Sequence, residues 1–333
     1  MSELAKYKTN LINKLQSTYN QNCSVTKSNY NILINNVLKS NVSNSVKTQK
    51  TNLLITQCNS ELIRLLNNLN SDIIKVKQFV PPLIQPSKKR KSLFIGINYY
   101  GTRNQLGGCI NDVDILSNKL QNTYGFGNIK IITDNTQIKP TKANILSELT
   151  NLLVTAEPGD LLHFHYSGHG GYVKDLNGDE TNGRDELIYP LDMIPITDDE
   201  LKQIITTKLK AEVTLFAFFD SCYSGTVLDL RYQYLDSLNY DTFTQNDNNL
   251  ETEGNVFMIS GCTDNQTSAD AQINNITQGA TSWALLSCLN AKPKCSWREL
   301  LQNMRNLMRS SSFTQIPQLS TGRMEDIDRL VFL

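Results

Sequence analysis

An α/β fold with a mostly parallel central sheet is the architecture this sequence predicts, and three observations carry it. The apolar run at residues 213–219 has the length and character of a strand buried on both faces, and residues 161–167 read as a second buried strand. Each run leads into a small polar turn containing glycine, Asp220-Ser221-Cys222-Tyr223-Ser224-Gly225 in one case and Gly168-His169-Gly170-Gly171 in the other. Strand-like and helix-like segments alternate from residue 92 onward, the order that right-handed crossovers between parallel strands produce.

Residues 1–85 come first and differ in kind: they are rich in Asn, Ser, Lys and Leu and poor in Gly. Leu4, Tyr7, Leu11 and Leu15 recur at helical spacing, as do Leu62, Leu65, Leu66, Leu69 and Ile73. A small helical N-terminal region is expected there. Pro81-Pro82, Pro86 and the run Lys88-Lys89-Arg90-Lys91 then mark a linker, set at residues 86–91. Strands are predicted near 92–98, 130–133, 160–167, 213–220 and 255–261. Helices are predicted near 112–123, 141–155, 198–208, 281–290 and 296–308. Residues 232–254, with Asn239, Asn246, Asn248 and Asn249, read as a surface loop dividing 92–231 from 255–333. There are no internal repeats.

Composition excludes several functions. Lys+Arg and Asp+Glu both number 32, so no net field recruits nucleic acid or an acidic membrane. The seven cysteines are dispersed without C-x-x-C spacing, against a disulfide scaffold or a zinc site. No window approaches a membrane span, and Met1-Ser2-Glu3-Leu4-Ala5-Lys6 has no apolar signal core. A cytoplasmic, monomeric enzyme is expected.

The chemistry gathers at the two strand ends. In open α/β sheets the working groups collect beyond the carboxyl ends of the strands. Cys222 occupies one such turn, whereas a structural cysteine would lie inside the apolar run as a small hydrophobe. The chain has three histidines, all within residues 163–169. His163, His165 and Ser167 share one strand face by period-two alternation, so the first two read as packed strand residues. His169 lies past the strand end between glycines. An imidazole there can take the thiol proton and later protonate a leaving amine. No third, histidine-orienting residue is evident from spacing, so a dyad is expected.

Tyr166-Ser167-Gly168-His169-Gly170 and Asp220-Ser221-Cys222-Tyr223-Ser224-Gly225 together resemble the metacaspases, of the caspase–hemoglobinase clan of cysteine peptidases. Further segments match in order: Leu93-Phe94-Ile95-Gly96-Ile97-Asn98-Tyr99-Tyr100, Leu106-Gly107-Gly108-Cys109-Ile110-Asn111-Asp112-Val113 and Asn255-Val256-Phe257-Met258-Ile259-Ser260-Gly261-Cys262. So does an acidic loop spanning Asp175-Leu176-Asn177-Gly178-Asp179-Glu180, Gly183-Arg184-Asp185-Glu186 and Tyr189-Pro190-Leu191-Asp192. The resemblance covers roughly residues 90–333. It implies the caspase-like fold, a prodomain at residues 1–85, and a peptidase acting on protein or peptide substrates.

The carboxylates suggest specificity. Asp220 precedes Cys222 by two residues, and Asp112 opens a helix at the same edge of the sheet. Two carboxylates near a scissile bond select a cationic side chain. The resemblance implies that Cys109, Asp112, Ser167 and Asp220 line the first specificity pocket, with cleavage after Arg or Lys. It departs from true caspases in the cysteine motif and in lacking a basic pocket. Backbone N–H groups of Gly170 and Cys222 are the expected oxyanion donors.

Calcium is the expected cofactor. Asp175, Asn177, Asp179 and Glu186 superficially match a twelve-residue calcium loop, but Glu180 stands where that loop requires Gly. The resemblance instead implies a site at Asp185, Asp198, Asp199 and Asp229. Self-processing is expected at residues 88–91 or at Arg231. Two alternatives stay open: a non-catalytic regulatory or scaffolding protein of the same fold, and a peptidase of legumain-like or caspase-like specificity. A nucleotide-binding domain fits less well, because Gly101, Gly107 and Gly108 lack a phosphate-cradling spacing.

Overall fold

The structure, a computed structural model, describes residues 3–78, 89–174, 184–222, 225, 227–234, 243–246, 251–261, 270–273 and 276–332. It divides into two compact units, residues 1–82 and 83–333.

The first unit is a helical hairpin of α1 (Glu3–Lys39) and α2 (Asn44–Gln78). Lys8 Nζ donates to the Lys77 carbonyl near the open end and Lys47 Nζ to the Leu38 carbonyl near the turn, so the helices run antiparallel. Leu15 and Val76 are buried, and Leu62, Leu65, Leu69 and Ile73 are half-buried, as their spacing predicts.

The second unit opens with β1 (Arg90–Gly96), α3 (Cys109–Tyr124), β2 (Asn128–Thr133), α4 (Lys142–Val154) and β3 (Leu161–Ser167). A small antiparallel sheet follows, made of β4 (Gly170–Lys174), β5 (Arg184–Ile188) and β6 (Ile196–Thr197). Next come α5 (Asp198–Lys208), β7 (Thr214–Asp220), β8 (Tyr232–Tyr234), β9 (Thr244–Gln245) and β10 (Asn255–Ser260). The hairpin β11 (Asp270–Ile273) and β12 (Ile276–Gly279) leads into α6 (Ala280–Ala291), α7 (Trp297–Ser310) and β13 (Gln318–Thr321).

The main sheet runs β2-β1-β3-β7-β10-β13-β8-β9. Its first five strands are parallel to their neighbours, and the last three pair antiparallel. Strand alternation divides the core between two faces. Phe94, Phe216, Phe218, Phe257 and Ile259 pack with α3, α6 and α7, whereas Leu93, Phe164, Leu215, Ala217 and Phe219 pack with α4 and α5. Both faces of the parallel strands are covered, which is why β7 and β10 are almost wholly apolar. His163 and His165 lie fully buried on the α3 face, among Phe94, Phe216 and Phe218, as packed strand residues.

Two boundaries differ from expectation. β1 begins at Arg90, so Arg90 and Lys91 belong to the sheet rather than to a linker. Lys91 is buried against Asp160 at 3.2 Å, and its aliphatic stem completes the strand while its charge finds a partner. Residues 232–254 are not all loop. Tyr232 and Tyr234 are buried in β8, the period-two aromatic pattern of a strand with one face on the core, lying between β13 and the edge strand β9. Asp175–Glu180 and Lys88 lie outside the described residues.

Candidate active site

The register of β3 and β7 positions the two reactive side chains. Ser167, the last residue of β3, is paired with Asp220, the last residue of β7. His169 and Cys222 each stand two residues beyond that pair, on parallel strands at the same end of the sheet. Gly168 N–H reaches the Asp220 carbonyl, continuing the pairing past both strands. The turns then press together. A Cβ on Gly170 would stand 2.1 Å from the Cys222 carbonyl oxygen and 3.1 Å from Ser221 Cβ. Only a glycine permits that approach. Cys222 is half-buried and in no disulfide.

His169 is held from several sides. Its ring packs on Tyr99, with centroids 4.7 Å apart, and its backbone N–H donates to Tyr99 Oη at 2.9 Å. Its carbonyl accepts from Tyr166 Oη at 2.8 Å and from Tyr189 N–H at 3.0 Å. Its Nε2 lies 2.7 Å from the Asn104 carbonyl. A carbonyl can only accept, so Nε2 carries the proton and Nδ1 is the basic nitrogen of the neutral ring. Sequence reasoning missed this orienting group because a backbone carbonyl leaves no residue-type signature. Tyr99, Tyr166 and Tyr189 were missed for a related reason: aromatic residues near strands read first as core. Burial raises Tyr99 and Tyr166 above the ordinary phenol range, so both remain hydrogen-bond donors at neutral pH.

The four predicted pocket residues come together. Cys109 and Asp112 open α3, whose backbone rests against Gly96 at the end of β1. Ser167 Oγ donates to Asp112 Oδ2 at 2.8 Å. Asp220 receives the Ser282 N–H at 2.8 Å, and Asp112 receives the Gly279 N–H at 3.0 Å. All four residues are buried.

The acidic residues converge in part. Asp198 begins α5, accepting from the Glu186 N–H at 2.6 Å and the Asp199 N–H at 2.8 Å. Burial, together with the nearby Asp229 and Asp185 carboxylates, pushes Asp198 up to about 7 against those hydrogen bonds. Asp229, at a left-handed φ of 48°, is buried. Lys202 Nζ sits 2.8 Å from its Oδ2, and its Oδ1 has no hydrogen-bond partner. Asp199 is half-buried on the first turn of α5. Among the described residues, no three such side chains stand ready as a metal cage. The donor set is nevertheless hard oxygen with surplus negative charge, and the orphaned buried oxygen of Asp229 suits a calcium ion.

Residues 90–231 match the metacaspase peptidase C14 domain. Metacaspase-1 of Kluyveromyces lactis is 41% identical over 295 aligned residues, covering 73% of this chain and 68% of that one. The chain belongs to the metacaspase family. Metacaspase-1 of Saccharomyces cerevisiae is 38% identical over 298 residues, covering 73% of this chain and 69% of its own. A solved protein from Geobacter sulfurreducens superposes with a TM-score of 0.55 at 27% identity, covering 72% of this chain and 95% of that one. This metacaspase is therefore a cysteine endopeptidase on a caspase-like fold, a central mostly parallel sheet flanked by helices. None of its described helices is long and apolar enough to cross a membrane.

Proposed function

We propose that this metacaspase cleaves protein substrates after Arg or Lys through a Cys222–His169 dyad, and that calcium switches it on. The observation that carries the reading is the Ser167–Asp220 register, which sets both reactive residues at one sheet end beside two buried carboxylates. His169 Nδ1 takes the Cys222 proton, and the thiolate attacks the carbonyl carbon after the basic residue. The backbone N–H groups of Gly170 and Cys222 receive the developing oxyanion. The tetrahedral intermediate collapses as the protonated imidazole delivers its proton to the departing amine, and water then hydrolyses the thioester. Asp112 and Asp220 attract the substrate cation, Arg most favourably because its fork can engage two oxygens.

Asp185, Asp198, Asp199 and Asp229 would hold the calcium ion. Its charge would add to that of Lys202 in offsetting the repulsion among these carboxylates, and would order the chain that follows Cys222. Hydrolysis of an Arg-ending fluorogenic peptide is expected with calcium and lost with a chelator. Cys222→Ala should abolish it with calcium present, and cleavage retained in that variant refutes the dyad. A panel ending in Arg, Lys, Asn and Asp separates this specificity from a legumain-like or caspase-like one.

A further inference from the structure

Helix α6 begins without a cap of its own. Gly279 has no side chain to accept from the first turn, where Ser, Thr, Asp or Asn is the usual solution. The acceptors come instead from two distant elements. The Ser282 N–H donates to Asp220 Oδ2 at 2.8 Å, and the Gly279 N–H lies 3.0 Å and 3.1 Å from the two oxygens of Asp112. Asn111 Nδ2 also donates to the Thr277 carbonyl at 2.9 Å, tying α3 to β12 just ahead of the glycine. Carboxylates from α3 and from the end of β7 are thus seated on one helix N-terminus.

The backbone does not require glycine at 279, since φ −65° and ψ 136° suit any residue. Space does. A Cβ there would stand 2.1 Å from Asp220 Oδ2, 2.7 Å from its Cγ and 2.9 Å from Asp112 Oδ2. The bare Cα of Gly279 is in contact with both acids, and its missing side chain lets them share the helix end. Two buried carboxylates this close repel unless donors and a positive field compensate. The first turn of α6 supplies both.

We infer that Gly279 is a positioning and specificity-determining residue, through which the α6 N-terminus holds Asp112 and Asp220 oriented and spaced for a cationic side chain. This rests on the reading of those two carboxylates as the pocket for the basic residue. Gly279→Ala keeps the backbone conformation and inserts one methyl between the acids. Its kcat/KM on an Arg-ending peptide should fall about 10- to 100-fold, the range for losing one charge-assisted hydrogen bond. The loss should lie chiefly in KM, with alkylation of Cys222 by neutral iodoacetamide unchanged. A folded variant with wild-type KM for the Arg peptide overturns the inference.

If the variant proves too unstable for kinetics, a double-mutant cycle with Asp220→Ala decides. The Tm cost of Gly279→Ala should largely vanish once Oδ2 and Cγ of Asp220 are gone. An equal cost in both backgrounds overturns the inference. The wild-type peptide panel keeps the two ideas apart. Absence of an Arg or Lys preference there sinks the pocket reading itself, whereas a preserved preference with an unaffected Gly279→Ala variant sinks only the role of Gly279.

Discussion

Gly170 shows how one side chain's absence can set the chemistry. Its Cα lies against the Cys222 carbonyl, and that contact brings the histidine turn up to the cysteine turn. Gly170→Ala should therefore lower kcat/KM by about 100-fold or more, because a misplacement near 1 Å costs that much at a reacting centre. Steady-state kinetics beside a circular dichroism spectrum would check this, the fold remaining intact. Cys222 and His169 were legible because thiol and imidazole are rare and both follow apolar strand runs. Asn104, which orients the ring through its backbone carbonyl, was not legible, and neither was Gly279, whose φ is ordinary and whose need arises from side chains far away in sequence.

Strands and helices were readable wherever burial on both faces left an apolar run or a helical stripe. β3, β7, β10 and α5 fall within a residue or two of their predicted spans. The short β8 and the β11–β12 hairpin escaped, since three or four residues cannot display a period that separates strand from loop. β1 was misjudged at its start, because Lys88-Lys89-Arg90-Lys91 looks solvated in sequence while Lys91 is buried against Asp160. Lys91→Met would leave the Asp160 carboxylate buried without its cation, a loss of about 3 kcal/mol measurable by urea unfolding. Cleavage after Arg90 or Lys91 would require this strand to leave the sheet, where both residues pair with β3. Intact-mass analysis of active enzyme should accordingly find no new terminus at Ser92 or Lys91.

Over the whole molecule, the buried histidines should make stability depend on pH. His163 is fully buried among the rings of Phe94, Phe126, Phe216 and Phe332. Burial pushes it down to about 3 from the ordinary 6.5, and lowers His165 as well. Between those limits the unfolded chain binds a proton that the folded chain refuses. Against the opposite slope from Asp198 and Glu325, whose carboxyls burial raises to about 7, His163 should therefore lower stability as pH drops below about 6.5 and on toward 3, by up to about 1.4 kcal/mol per pH unit. His163→Phe should flatten that slope in urea titrations taken at several pH values. The proposed activity rests on one thiol and one kind of substrate, and covalent labelling tests both at once. Enzyme with calcium would be treated with a peptidyl chloromethyl ketone ending in Arg, then digested and mapped by mass spectrometry. A single adduct is expected on Cys222, absent in His169→Ala and absent with an Asp-ending reagent. An adduct on another cysteine, or equal labelling of Cys222 by the Asp-ending reagent, would contradict it.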